Sequence, residues 1–170
     1  DLMRAGLLPD IYFANNIRLL REYEFYRWEY RRGFAAPAHT PQERVFLNFE
    51  GVDCIAEYFL NGVCFGESEN ALIAHRFEVT DLLCEGENEL CVRIASPILR
   101  AARGPYEPRE TSLPRSFESL RIRKPPSAYG WDILARVVSA GLWRDVTLEI
   151  EDACEIEELH LFTMRADEKT

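Results

Sequence analysis

No stretch of this sequence stays apolar over the roughly 20 residues that a membrane-spanning helix requires, and its opening, DLMRAGLLPD, lacks the long apolar core of a secretory signal. Basic residues are in short supply: 20 Lys and Arg stand against 29 Asp and Glu, a formal net charge of −9. A phosphate-binding surface needs clustered cations, so neither nucleic acid nor an anionic membrane is an expected partner. The three histidines, His39, His75 and His160, are scattered, with no H-E-x-x-H pair and no Cys at ligand spacing, so no metal is expected. There is no G-x-S-x-G elbow and no Gly-rich phosphate loop, and no cofactor is expected either. Cysteine is sparse and unpatterned. The five, Cys54, Cys64, Cys84, Cys91 and Cys154, are odd in number, lack C-x-x-C spacing and mostly sit in apolar runs, where a thiol behaves as a small buried hydrophobe. A reducing, cytoplasmic setting follows, which a signal peptide further upstream would leave open.

Helical pattern is scarce too. One short helix is expected over Asn16 to Glu24, with Asn15 or Asn16 capping its first turn. Beyond it the apolar period drops to two. Val45, Leu47 and Phe49 alternate with Phe46 and Asn48; Leu90, Val92 and Ile94 with Cys91 and Arg93; Val146, Leu148 and Ile150 with Thr147 and Glu149. Such alternation marks half-buried strands. Asn61-Gly62 between two apolar runs predicts a type I′ hairpin, because both residues tolerate positive φ. Thr80/Asp81 and Gly86 to Asn88 read as further turn chemistry. Seven or eight short strands in 170 residues, 47% of them hydrophobic, predict one all-β domain over residues 1–152. A jelly-roll β-sandwich with one short N-terminal helix is the expected fold, ahead of an immunoglobulin-like sandwich. Trp28 and Trp143 fall at positions that suit the sandwich core.

The rhythm breaks between Leu99 and Gly130, a segment that carries five of the nine prolines and leads into GWDILARVV. A loop of that length in a compact domain is usually functional or disordered. Arg123, Lys124, Tyr129, Trp131, Asp132 and Arg136 cluster within fourteen residues at its end. Sugars offer apolar C–H faces to an aromatic ring and pairs of hydroxyls to a carboxylate or guanidinium, so the set suits a carbohydrate. The same residues admit a structural account: Trp131 as a core plug, Asp132 as a turn cap, and Arg136 as its ion-pair partner. The acidic run EDACEIEE reads as a solvated face or linker, not as an acid/base pair.

The order of the motifs carries a resemblance. DLMRAGLLPD with Asn16, RWEYRRGF, LNFEGVDCIAEYFLNGVCFGES, HRFEVTDLLCEGENELCVRIASP and RKPPSAYGWDILARVVSAGLWRDVTLE follow one another over about 150 residues. Together they resemble the N-terminal sugar-binding, galactose-binding-domain-like jelly roll of glycoside hydrolase family 2, in its β-mannosidase-like branch. The resemblance implies that the chain is one piece of a longer enzyme. An immunoglobulin-like domain would begin in or after a linker at residues 153–170. A TIM barrel would then hold the two carboxylates of a retaining glycosidase, roughly 5 Å apart. It further implies that Trp131 and Asp132 face the terminal sugar of a β-linked glycoside, with Arg123, Lys124, Tyr129 and Arg136 in support. Ile133 replaces the family's second Trp, Leu134-Ala135 its Gly-Pro, and Pro126-Ser127-Ala128-Tyr129 its Gln-Tyr-His-Phe, which leaves the sugar open. Asp1 would follow a first strand that this sequence lacks. A free-standing carbohydrate-binding module and a purely structural jelly roll are the competing readings.

Overall fold

The computed structural model describes residues 1–105, 109, 116–152 and 159–166; Cys154, most of the acidic run and part of the proline-rich loop lie outside the described residues. Nine strands are found among them: β1 (Trp28–Ala35), β2 (Arg44–Phe49), β3 (Val52–Asp53), β4 (Ala56–Leu60), β5 (Val63–Ser68), β6 (His75–Glu78), β7 (Glu87–Ile94), β8 (Gly141–Leu142) and β9 (Val146–Glu151). They form a four-stranded sheet in the order β1-β7-β4-β5, a three-stranded sheet β6-β2-β9 and a two-stranded β3-β8 pair, antiparallel throughout. The two larger sheets face each other as a jelly-roll sandwich. Val45, Leu47 and Phe49 from one meet Tyr58, Leu60, Leu90, Val92 and Ile94 from the other in a single core. Each such side chain removed from water stabilises the fold by about 1.5–3 kcal/mol. At one end the core is aromatic: the Tyr58 ring packs at a tilt against Phe49 and Phe77 with centroids 4.5 and 4.8 Å away, and its hydroxyl shares a 2.7 Å hydrogen bond with Ser68.

The alternation holds in β2 and β7, with two additions. Phe46, on the outer face, is buried because Arg76 and Arg44 lie over its ring at 3.7 and 5.3 Å, a cation–π cover that periodicity does not encode. Cys91 is buried on the outer face as well. In β9, Val146 and Leu148 pack on the core, whereas Ile150 is 39% exposed near the strand's end. The Asn61-Gly62 turn has the expected positive φ values, 52° and 83°.

Other expectations need correction. The N-terminal helix is a 3₁₀ turn, Asn16–Leu19, running into one α-turn, α1 (Leu20–Tyr23), and neither asparagine caps it. Asn16 instead donates its side-chain amide to the Asp10 carbonyl at 2.8 Å. Trp143 is no core residue. At 54% exposure it lies across the backbone of Gly51 with Arg144 over its ring at 4.3 Å. It follows β8 directly, and its backbone amide donates to the Gly51 carbonyl at 3.1 Å, between the strands and not within one. Trp28 is half-buried against the core, stacked on Tyr23. Cys54 and Cys91 are buried, but Cys64 and Cys84 are exposed, and all four are free thiols.

Candidate functional site

The proline-rich segment folds onto a small second core made of Cys54, Ala71, Ala101, Ile122 and Tyr129. Around it lie α2 (Pro97–Ala101), capped by Ser96, and two 3₁₀ turns, Phe117–Leu120 and Pro126–Tyr129. Tyr129 is 2% exposed, and burial pushes its phenol well above the ordinary range, so the ring is a neutral anchor under the loop. Directly after it, Gly130 adopts φ 105°, ψ 143°, a conformation that L side chains rarely take. The chain reverses at that point. Trp131 and Leu134 exchange backbone hydrogen bonds, Trp131 N to Leu134 O at 3.0 Å and Leu134 N to Trp131 O at 3.2 Å, leaving Asp132 and Ile133 at the tip of a tight turn.

The tip points into solvent. Trp131 is 53% exposed and Ile133 89%, and the exposed Asp132 makes no side-chain hydrogen bond or ion pair with the described residues. The structural account of this stretch therefore fails at each residue: the ring plugs no core, the carboxylate caps no turn, and Arg136 pairs elsewhere. What remains exposed is an aromatic face next to an uncommitted acceptor.

The cations that follow and precede the tip are structural supports. Arg136 grips Glu24 through Nε to Oε1 (2.9 Å) and Nη2 to Oε2 (2.7 Å), and reaches Glu118 Oε1 at 3.2 Å. Burial alone would disfavour its charge, yet the hydrogen bonds to Glu24 and Glu118 outweigh it and raise the guanidinium above its ordinary value. Its Cζ also sits 5.5 Å from the centre of the Tyr129 ring. Glu24 is fixed in turn by Ser96, whose hydroxyl donates to the Glu24 carbonyl at 2.5 Å and accepts from the Leu99 amide at 3.1 Å. Lys124 is 3% exposed. Its Nζ donates to Asp53 Oδ2 (2.5 Å) and Ser139 O (2.6 Å), clamping β3 to the segment that leads into β8. Arg123 is exposed, and its backbone carbonyl accepts from Ala71 at 2.9 Å. Glu24, Glu118, Asp53, Ser96 and Ser139 were not legible as site residues, since their partners lie far away in sequence and no local pattern marks them.

Beside the tip runs a groove of about 730 Å³ lined by Tyr12, Leu72, Leu134, Ala135 and Trp143 over a floor that includes Asp53 and Lys124. Its aromatic and aliphatic walls are exposed on the protein surface. Among the described residues no His, Cys, Asp and Glu side chains converge in a group able to hold a metal ion, and no helix is long and apolar enough to cross a membrane.

The chain is similar to known proteins. Residues 1–144 match the family described as glycosyl hydrolase 2 galactose-binding domain-like. The chain is 33% identical over 156 residues to beta-mannosidase B of Thermothelomyces thermophilus, an alignment that covers 90% of this chain and 18% of that protein. Against beta-mannosidase B of Aspergillus terreus the identity is 35% over 157 residues, covering 90% of this chain and 19% of that protein. The crystal structure of a beta-D-mannosidase from Dictyoglomus thermophilum superposes with a TM-score of 0.78 at 36% identity, over 88% of this chain and 19% of that one. The chain thus spans about a fifth of the length of these relatives.

Proposed function

We propose, from the premise that the chain belongs to the glycosyl hydrolase 2 galactose-binding domain-like family, that it is the non-catalytic, sugar-facing domain of a retaining β-glycosidase of the β-mannosidase type. The carboxylate pair that cleaves the glycosidic bond, about 5–5.5 Å apart in a retaining enzyme, belongs in this reading to a TIM barrel further along the polypeptide, after an immunoglobulin-like domain. This domain contributes one wall of the pocket. Trp131 stacks on the C–H face of the terminal sugar of a β-linked glycoside, and Asp132 accepts hydrogen bonds from its hydroxyls. Arg136, Lys124 and Tyr129 act through the loop they hold, and Arg123 lies on its outer side. One observation carries the proposal: the tip at Trp131-Asp132 is exposed and uncommitted, while Tyr129 and Glu24 beneath it are buried and Arg136 ties the loop to Glu24 and Glu118.

Two further features support the reading. The groove walled by Tyr12, Leu72, Leu134 and Trp143 offers apolar surface next to the tip, as a domain that packs against the rest of a longer enzyme requires. The exposed free thiols Cys64 and Cys84 suit a reducing, cytoplasmic compartment.

The test is made in the full-length enzyme. Asp132→Ala and Trp131→Ala are expected to leave the melting temperature unchanged and to lower kcat/KM on 4-nitrophenyl β-D-mannopyranoside, Asp132→Ala by about 10- to 150-fold, the equivalent of one charged hydrogen bond. Unchanged hydrolysis in both variants overturns the proposal in favour of a structural jelly roll. A single wall does not enclose a ligand, so the isolated 170-residue chain is expected to give no titration signal with mannose or mannobiose; saturable binding would favour a free-standing carbohydrate-binding module.

A further inference from the structure

Ile133 is the residue of the tip that the sugar-facing pair does not account for. At 89% exposure it is, among the described residues of 1–152, the most exposed large hydrophobic side chain, ahead of Tyr12 at 79%. An isoleucine held in water forgoes the free energy that its burial would return. Turn chemistry gives no reason for it. The apex of a tight turn ordinarily goes to Gly, Asn, Asp, Ser or Pro, whose backbone or side chain suits the reversal, and Asp132 already supplies one of these. The two backbone hydrogen bonds between Trp131 and Leu134, at 3.0 and 3.2 Å, close the turn without the Ile133 side chain. Nor does it belong to the apolar groove beside the tip, whose walls include Leu134 but not Ile133. A β-branched side chain is stiff about its first torsion. Ile133 is thus a small, fixed, apolar surface next to an uncommitted carboxylate.

Sugar chemistry limits what such a surface can face. A hydroxyl pressed against Ile133 would lose its water and gain no partner, which costs binding energy. A hexopyranose carries hydroxyls on C2, C3, C4 and C6, and its C–H face is already stacked on Trp131. Of the ring's substituents, only the one on the anomeric carbon need not present a hydroxyl. That substituent is the aglycone, the group that departs on hydrolysis. Resting on the sugar-facing role of Trp131 and Asp132, we propose that Ile133 is a specificity-determining residue that meets the aglycone, and that the preferred substrates are β-glycosides of alkyl or aryl alcohols. A second sugar in that position would set its own hydroxyls against the same apolar surface and is the poorer partner. Because Asp132 and Ile133 share one apex, the carboxylate that holds the sugar and the side chain that selects its aglycone are placed by the same pair of backbone bonds.

The test compares hexyl and methyl β-D-mannopyranoside in the full-length enzyme, two substrates with similar alkoxide leaving groups that differ in apolar length. Ile133→Ser is expected to lower the hexyl-to-methyl ratio of kcat/KM by about tenfold, the low end for a lost apolar contact in a pocket, at an unchanged melting temperature. Ile133→Val, which keeps a branched apolar side chain, should retain most of the ratio. An unchanged ratio in Ile133→Ser overturns the proposal. Accompanied by a lower melting temperature, it would assign Ile133 to contact with another part of the polypeptide; accompanied by equal losses on both substrates, to support of the tip. Asp132→Ala, measured on the methyl glycoside, separates this inference from the reading beneath it. Unchanged hydrolysis there removes the sugar-facing role and the aglycone contact together. A loss there beside an unchanged ratio in Ile133→Ser removes the aglycone contact alone.

Discussion

Arg136 and Glu24, 112 residues apart in sequence, meet in a two-pronged ion pair at 2.9 and 2.7 Å beneath the exposed Trp131-Asp132 tip. The pair joins the end of the N-terminal helical turn to the loop that presents the candidate site. Its strength comes from geometry: a planar guanidinium matches both oxygens of a carboxylate that is itself almost fully buried.

Removing one partner of such a pair leaves the other charge buried. Arg136→Leu is expected to destabilise the domain by about 3 kcal/mol, the lower end for a broken buried pair, because Arg21 still reaches Glu24 at 3.1 Å. Urea denaturation of the isolated domain measures it. In the full-length enzyme the same variant should lower activity on the mannoside without touching substrate, since the tip loses its support.

Gly130→Ala tests the turn itself. At φ 105° an added Cβ would also meet Arg136 Cβ at 3.4 Å, so the variant is expected to cost about 1–3 kcal/mol. Nearby Trp131 is half in solvent, and its fluorescence maximum should move as the tip is displaced. A variant with wild-type stability and emission would show that the backbone there is not constrained.

Asn61→Gly separates turn chemistry from side-chain chemistry. Glycine keeps the positive φ that the hairpin needs, but it removes the Asn61 side-chain amide bonds to Asn88 Oδ1 (2.8 Å) and Leu82 O (3.0 Å), together with the Glu89 amide bond to Asn61 Oδ1 (3.0 Å). A loss of about 2 kcal/mol in chemical denaturation is expected. If the residue served only the turn, the variant would be nearly neutral.

Alkaline pH should unfold the domain progressively. Burial pushes the Tyr58 phenol from its ordinary 10.0 up to about 12 and the Cys54 thiol from 9.0 up to about 12, and it raises Tyr129 as well. All three are held neutral in the fold, whereas the unfolded chain ionises them at their ordinary values. Raised folded values mean that the stability they contribute is complete below about pH 9 and is lost as pH rises toward 12. Urea midpoints measured between pH 8 and 12 should fall over that window, and Tyr58→Phe should make the fall shallower. A flat profile would show that these groups titrate normally.

Strands β2, β7 and β9, the Asn61-Gly62 hairpin and a Trp131-Asp132 pair at the end of a long loop are legible in the sequence. Alternation, positive-φ turn residues and motif order are properties of neighbouring residues, and they can be read without knowing where the chain goes. Burial could not be read that way: Phe46 is covered by a cation from another strand, and Trp143, between β8 and β9, lies half-exposed across Gly51. The partners of the charges were set by packing. Asp132 stands four residues from Arg136, yet Arg136 pairs with Glu24 and Glu118, and Lys124 pairs with Asp53 from 71 residues away. A buried charge must be matched by whatever carboxylate the packing brings to it, and packing joins residues that sequence separation keeps apart. That choice of distant partners is what left Asp132 uncommitted at the tip.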